Sequence, residues 1–316
     1  MEPQRHKRKY EGEHERARPS APSLVAQHYN ERPDVGAVKR KESRIIRMRS
    51  FNNWVKSVLI NRYVHKSQTV FDMGCGKGGD LIKWSKAGIS HLVAADIASV
   101  SLEQMKERYL ALRQRPFTAE FHPMDCYSEL ISPKLKKEIS FDAVSMQFCL
   151  HYAFENEEKA RIMLQNVSDR LRSGGYFIGT IPDANLIVKR LREDQKKGFG
   201  NSIYSITFEN LERDKDGKLV GFTPFGCKYM FHLVDAVDCP EYLVNWRVFE
   251  KLAGEYGLKL KFKENFHDFY VSATREEEYS RLLERIGVVG GRSLPDMSQE
   301  EWEAAGIYLA FAFEKH

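Results

Sequence analysis

The chain has 316 residues, 42% of them hydrophobic and 29% charged, which suffices to bury one large core or two small ones. No segment approaches the roughly 18 unbroken apolar residues of a membrane-spanning helix, and Met1 to Ser20 holds no apolar run of the secretory kind, so an intracellular protein away from membranes is expected. The five cysteines, Cys75, Cys126, Cys149, Cys227 and Cys239, form no C-x-x-C pair; they give no zinc framework and suit reduced thiols.

Positive charge is concentrated at the start. Residues 1–49 carry 13 Lys and Arg against 7 Asp and Glu, whereas the remainder carries 36 against 37. Runs such as His6-Lys7-Arg8-Lys9 and Lys39-Arg40-Lys41 attract polyanions and suit nuclear import, while a merely solvated tail is an equal reading of residues 1–20. Residues 1–22 are charged, hold three prolines and lack periodicity, so they are expected to form a disordered basic tail ahead of one folded domain over 23–316.

Within that domain a short helix is expected over Leu24–Asn30 and a longer one over Lys39–Tyr63, with Ile45, Met48, Phe51, Trp54, Val55 and Val58 at helical spacing. Thr69–Asp72 reads as a strand running into a glycine turn, with a helix over Asp80–Lys86. Then come a strand His91–Ala95 ending at Asp96, a helix Val100–Leu112 and strands Phe117–His122 and Phe141–Met146. A helix Glu157–Leu171 and a fifth strand Gly175–Ile181 complete the alternation. Such alternation argues for an α/β, Rossmann-like fold with a mostly parallel central sheet and helices on both faces. Beyond Pro182 the pattern loosens into a β-rich insertion over residues 200–235, of the kind that walls a substrate. A helix over Glu241–Tyr256 and strands over Leu258–Lys263 and Ile307–Phe313 are expected to rejoin the core.

Asp72-Met73-Gly74-Cys75-Gly76-Lys77-Gly78 closes a strand and opens a helix. Its G-x-G-x-G spacing differs from the G-x-G-x-x-G of dinucleotide binders, so the turn is read as a site for S-adenosylmethionine. Asp96 ends the next strand, where a carboxylate accepts both ribose hydroxyls. Asp125, expected to end the third strand, is placed to take the adenine amino group. All three features fall at neighbouring strand ends, where open α/β sheets hold ligands.

Other segments sharpen the pattern: Ser50-Phe51-Asn52-Asn53-Trp54-Val55-Lys56, the glycine turn through Leu81, Gln147-Phe148-Cys149-Leu150-His151-Tyr152, Phe225-Gly226-Cys227-Lys228-Tyr229, Pro240-Glu241-Tyr242 and Ile307–Lys315. Together they resemble the eukaryotic mRNA cap guanine-N7 methyltransferases, members of the class I S-adenosylmethionine-dependent methyltransferase fold, from about Val25 onward. The resemblance implies that Lys56, Gly74, Asp96, Asp125, Gln147 and Tyr152 contact S-adenosylmethionine. It implies that Asn52 and Asn53 touch the cap, with Lys77, Lys83, Arg108, His151, Glu241 and Tyr308 as further cap or phosphate determinants. It also implies a nuclear enzyme acting on the capped 5′ end of mRNA, near the transcription and capping machinery. The stretch Ala273–Gly291 lacks the lysine-rich insertion of vertebrate members, which leaves any activating subunit open.

The chemistry fits these residue types. Guanine N7 has an in-plane lone pair and no proton to remove, so no catalytic base and no metal is expected, only positioning. Glu241, His151 and Tyr308 are the nearest candidates for a direct part. A different acceptor, a small molecule or a protein side chain, is the main alternative; an RNA-binding module without activity is the other.

Overall fold

A computed structural model describes residues 30, 42–113, 116–288 and 297–316. The expected tail over 1–22, the expected helix Leu24–Asn30 apart from Asn30 itself, and residues 39–41 lie outside the described residues.

Helix α1 spans Ile46–Tyr63 and runs unbroken through Asn52 and Asn53. Its N-cap, Ile45, offers no side-chain cap, so its free N–H groups need an acceptor from elsewhere. Glu301 supplies it: Oε1 accepts from Arg47 and Met48 at 3.1 and 3.0 Å. Glu301 also belongs to the capping box of a helix over Gln299–Ala305, so one buried carboxylate locks the two helix starts together.

The strands follow as β1 Thr69–Met73, β2 His91–Asp96, β3 Thr118–Pro123, β4 Phe141–Gln147 and β5 Leu171–Pro182. Between them lie α2 Leu81–Ala87, α3 Ser99–Leu110 and α4 Glu157–Ser168. Helix α4 starts where Asn156 accepts the Lys159 N–H, with Glu157 and Glu158 in the first turn. It stops three residues short of the expected Leu171, which instead opens β5.

An unexpected helix, α5 Ala184–Asp194, follows, with Asp183 as its N-cap. Next come β6 Gly198–Gly200, β7 Tyr204–Thr207, β8 Glu212–Arg213, β9 Leu219–Val220, β10 Lys228–Leu233 and β11 Val237–Tyr242. Strands β6, β7, β10 and β11 form a separate antiparallel sheet, so the β-rich insertion extends past residue 235 to Tyr242. This corrects the helix expected from Glu241: that residue sits in a strand, and helix α6 starts at Trp246, capped by Asn245. Pro240 is tolerated because β11 is an edge strand, where a missing N–H costs little.

The chain ends with β12 Leu258–Asn265, α7 Phe266–Ala273, α8 Glu277–Arg285, α9 Gln299–Ala305 and β13 Tyr308–Lys315. The three helices were not legible in the sequence. The main sheet has the order β12-β13-β5-β4-β1-β2-β3. Strands β5 to β3 run parallel, and β13 is antiparallel to both neighbours. This is the Rossmann-like class I architecture expected.

Strand alternation decides what each face buries. Phe71 and Met73 of β1 pack with Met163 and Leu164 of α4 and Phe249 of α6, whereas Val70 points to the layer holding Trp84 of α2 and Met105 of α3. Asp72 shares the face of Val70 and is therefore carried into that second layer. The antiparallel sheet covers a third cluster built with α1, α5 and α7–α9.

Candidate functional site

The turn after β1 has positive φ at Gly74, Gly76 and Gly78 (74°, 52° and 72°), a conformation that side chains with a Cβ resist. The N–H groups of Gly74 and Cys75 both reach the Ala95 carbonyl, at 2.8 and 3.2 Å. At the end of β2 the Asp96 carboxylate accepts from Gly76 N–H at 2.7 Å through Oδ2 and from Ala98 N–H at 2.8 Å through Oδ1. Asp96 thus ties the turn to the start of α3. Burial raises its pKa, and these two N–H groups pull against that rise.

Over the turn lies a cavity of about 840 Å³ whose lining includes Gly74, Gly76, Asp96, Asp125, Gln147 and Tyr152. A Cβ on Gly76 would meet no atom within 4 Å, so the backbone here faces open space. Asp125 lies just past β3 rather than ending it, and its Oδ1 accepts the Tyr127 N–H at 2.9 Å. Gln147 is held by Ser145 and Thr180, each at 3.1 Å. A glycine backbone, two carboxylates and a largely apolar wall fit an adenosyl group with an amino-acid tail. Among the described residues no group of three or more His, Cys, Asp or Glu is arranged to hold a metal ion.

The five expected cofactor residues other than Lys56 come together in this cavity. Lys56 lies off its lining, with Nζ at 2.7 and 2.9 Å from the two oxygens of Asp80. Lys83 reaches the same carboxylate at 2.8 Å and also donates to Asn53 Oδ1 at 2.9 Å. Burial alone would raise the Asp80 pKa; the two ammonium groups overturn this and hold it below the usual carboxylate range. Burial depresses the Lys83 pKa despite Asp80. Arg108 donates to the Lys77 carbonyl at 2.8 Å, so it braces the glycine turn. The Asn52 amide oxygen is buried and has no hydrogen-bond partner among the described residues.

A second cluster adjoins the cavity. Glu241 is only 4% exposed, and Tyr229 donates to its Oε2 at 2.7 Å. His151 Nε2 stands 3.3 Å from Oε1, without the alignment of a hydrogen bond, and neither ring nitrogen has a hydrogen-bond partner among the described residues. The His151 ring lies 4.3 Å from that of Tyr152, which lines the cavity. Tyr308 enters through Phe148, whose ring it meets edge-on at 5.0 Å. Phe148 lines the cavity and has φ 59°, a strained value for an aromatic residue. Neither that strain nor Tyr229 behind Glu241 is legible in the sequence; the second follows from the sheet register Tyr229↔Glu241.

The comparisons with known proteins agree with this geometry. A family profile described as the mRNA (guanine-N(7))-methyltransferase domain matches residues 12–316. The chain belongs to the mRNA (guanine-N(7))-methyltransferase family. A Cryptococcus neoformans protein named mRNA cap guanine-N(7) methyltransferase is 45% identical over 93% of this chain, which spans 48% of that protein's length. A Schizosaccharomyces pombe protein of the same name is 46% identical over 94% of this chain and 83% of its own. In Oryza sativa, mRNA cap guanine-N(7) methyltransferase 1 is 44% identical over 94% of this chain and 82% of its own. Among solved structures, a putative S-adenosylmethionine-dependent methyltransferase from Listeria monocytogenes superposes with a TM-score of 0.49 at 13% identity, over 85% of this chain and 99% of that one.

Two predictions follow from the turn. A Cβ on Gly74 would lie 2.6 Å from Cys149 Sγ and would sit at φ 74°. Gly74→Ala is therefore expected to weaken S-adenosylmethionine binding by about ten- to a hundredfold, the equivalent of ~1–3 kcal/mol of backbone strain. Titration calorimetry checks this, and an unchanged Kd would contradict it.

Asp72, whose Oδ2 accepts from Trp84 Nε1 at 3.0 Å, carries the second. Burial first, and then the Asp80 carboxylate, raise its pKa from 3.8 to about 7. Across that interval the folded chain holds a proton that the unfolded chain has lost, so this group's stabilisation declines as pH rises and is gone above about pH 7. Asp72→Asn keeps an acceptor for Trp84 and removes the decline. Its advantage over the parent chain in thermal melts should widen with pH, by up to about 1.4 kcal/mol per unit, and a constant gap would contradict the assignment.

Proposed function

We propose that the chain transfers a methyl group from S-adenosylmethionine to N7 of the guanine in a 5′ GpppN mRNA cap. The observation that carries this reading is the buried Glu241 carboxylate, held by Tyr229 and facing His151, next to the Tyr152 wall of the cavity.

When bound, S-adenosylmethionine supplies a sulfonium methyl as electrophile. In this reading Asp96 accepts the ribose hydroxyls while bracing the turn, Asp125 faces the adenine amino group, and Gly74, Gln147 and Tyr152 border the methionine end, with Lys56 steadying the turn through Asp80. Guanine N7 attacks through its own lone pair, so no side chain has to remove a proton. Positive charge then grows on the guanine ring. A carboxylate at the N1/N2 edge stabilises that charge, and in a water-poor site it acts strongly. Glu241 takes this part, and Tyr229 fixes its orientation in advance. His151, Tyr152 and Tyr308 wall the ring, with Asn52 and Asn53 on the cap side and Lys77, Lys83 and Arg108 near the triphosphate.

The same reading makes 23–316 the catalytic unit and 1–22 a basic tail, places the protein in the nucleus with the capped 5′ end of mRNA as partner, and sets it beside the transcription and capping machinery. Labelled S-adenosylmethionine incubated with GpppG-capped RNA should label the cap nucleotide, with binding that weakens as salt rises. Label that never enters the cap, but enters a protein or small-molecule acceptor, would overturn the proposal.

A further inference from the structure

A second cavity, with an empty volume of about 1140 Å³, opens between the start of α5 and the insertion. Its walls include Asn185, Lys189 and Arg192 of α5, Phe222 and Thr223 of the insertion, and Asn245 ahead of α6. A space of this size admits a nucleotide.

Its position ties it to the guanine-side cluster. Another wall residue, Leu243, lies two residues beyond Glu241. Ala184, also in its wall, lies two residues beyond Pro182, which pairs with Tyr308 in the β5–β13 ladder. Asp183 N–H donates to the Ile307 carbonyl at 2.7 Å, fixing the start of α5 against that strand. The cavity therefore begins where the walls of the proposed cap site end.

Its chemistry is that of a nucleotide chain rather than an apolar ligand. Lys189 is partly offset by Glu193 at 3.8 Å, and the side chains are 72% and 62% exposed. Arg192 has no carboxylate within 4 Å among the described residues; its guanidinium instead lies over the Phe222 ring, 5.4 Å from the centroid. The Asp183 carboxylate is engaged as the α5 cap, accepting from Asn185 and Leu186 N–H. A guanidinium plane backed by an aromatic ring offers a stacking surface for a base, and the surplus cation offers a contact for phosphate. Asn185, Thr223 and Asn245 add neutral hydrogen-bonding groups.

We propose that this cavity takes the nucleotides of the RNA chain that follow the cap triphosphate, a subsite that rests on the cap-methylation reading. It would make a capped RNA a better substrate than the isolated guanine nucleotide. The test measures steady-state methylation of GTP and of a short GpppG-capped RNA by the full chain and by Arg192→Glu. A control variant, Lys137→Glu, makes the same charge change at an exposed residue ahead of β4, at the end of the parallel strands opposite the glycine turn. Arg192 is exposed, so its substitution leaves the core intact, and the thermal midpoint and S-adenosylmethionine Kd verify this.

The expected result is a KM for capped RNA raised by about 5–50-fold in Arg192→Glu, with GTP kinetics unchanged and Lys137→Glu close to the parent. An unchanged KM for capped RNA, or an equal rise in both variants, would overturn the subsite. Failure of the parent chain to methylate either guanine substrate would overturn the reading beneath it, and the subsite with it.

Discussion

Asp96→Ala is expected to lose about 100- to 1,000-fold in affinity for S-adenosylmethionine while the chain stays folded. The carboxylate does two things at once. It accepts two backbone N–H groups, from Gly76 and Ala98, and so fixes the glycine turn in its positive-φ path. It also faces the cavity at the point where β2 ends. Alanine removes both the acceptor for the ribose and the tether of the turn. Each charged hydrogen bond is worth roughly 1.5–3 kcal/mol, and two effects near the low end of that range, about 3–4 kcal/mol together, give the expected loss. Asp96 is not part of the apolar core, so the thermal midpoint should move little. Calorimetry with S-adenosylhomocysteine reads the outcome; wild-type affinity would remove Asp96 from the site.

Glu241→Gln is expected to lower kcat/KM for a capped acceptor by about 100-fold or more with cofactor affinity retained. Glutamine is the informative change because alanine would also strand the Tyr229 hydroxyl, a buried donor now bound at 2.7 Å. The amide keeps an oxygen for Tyr229 and removes only the negative charge. If the charge stabilises the methylated guanine, kcat falls; if Glu241 merely packs, kcat stays. A variant with unchanged turnover would reduce Glu241 to a structural role.

The parts of the fold that are legible in the sequence share one property: their signal is local. Val70 and Phe71 read as a strand because a central parallel strand buries both faces, and the glycines soon after them read as a turn because positive φ favours that residue. The same reasoning placed Asp96 at a strand end. It misread Glu241, because a proline followed by an acidic residue is also how many helices start. Only the pairing Met230↔Pro240, on the exposed edge of a four-stranded sheet, reveals a strand there.

The lysines show the same limit. The sequence reading takes Lys56 and Lys83 as ligand contacts; the structure adds that both ammonium groups converge on Asp80. Sequence cannot reveal an ion pair between residues 24 apart when one lies on a helix outside the motif. Helices α7, α8 and α9 escaped notice because their apolar faces complete a cluster shared with α1 and the insertion, so no single segment carries the pattern alone.

The measurement that bears most directly on the account replaces one atom of the acceptor. A capped RNA whose cap guanine is 7-deazaguanine keeps the N1/N2 edge and the triphosphate but has no lone pair at position 7. The account predicts that it competes with ordinary capped RNA and receives no methyl group, while the ordinary cap yields only 7-methylguanosine on digestion and mass analysis. Methylation of the deaza cap, or a product carrying the methyl on any other atom of the ordinary cap, would contradict it.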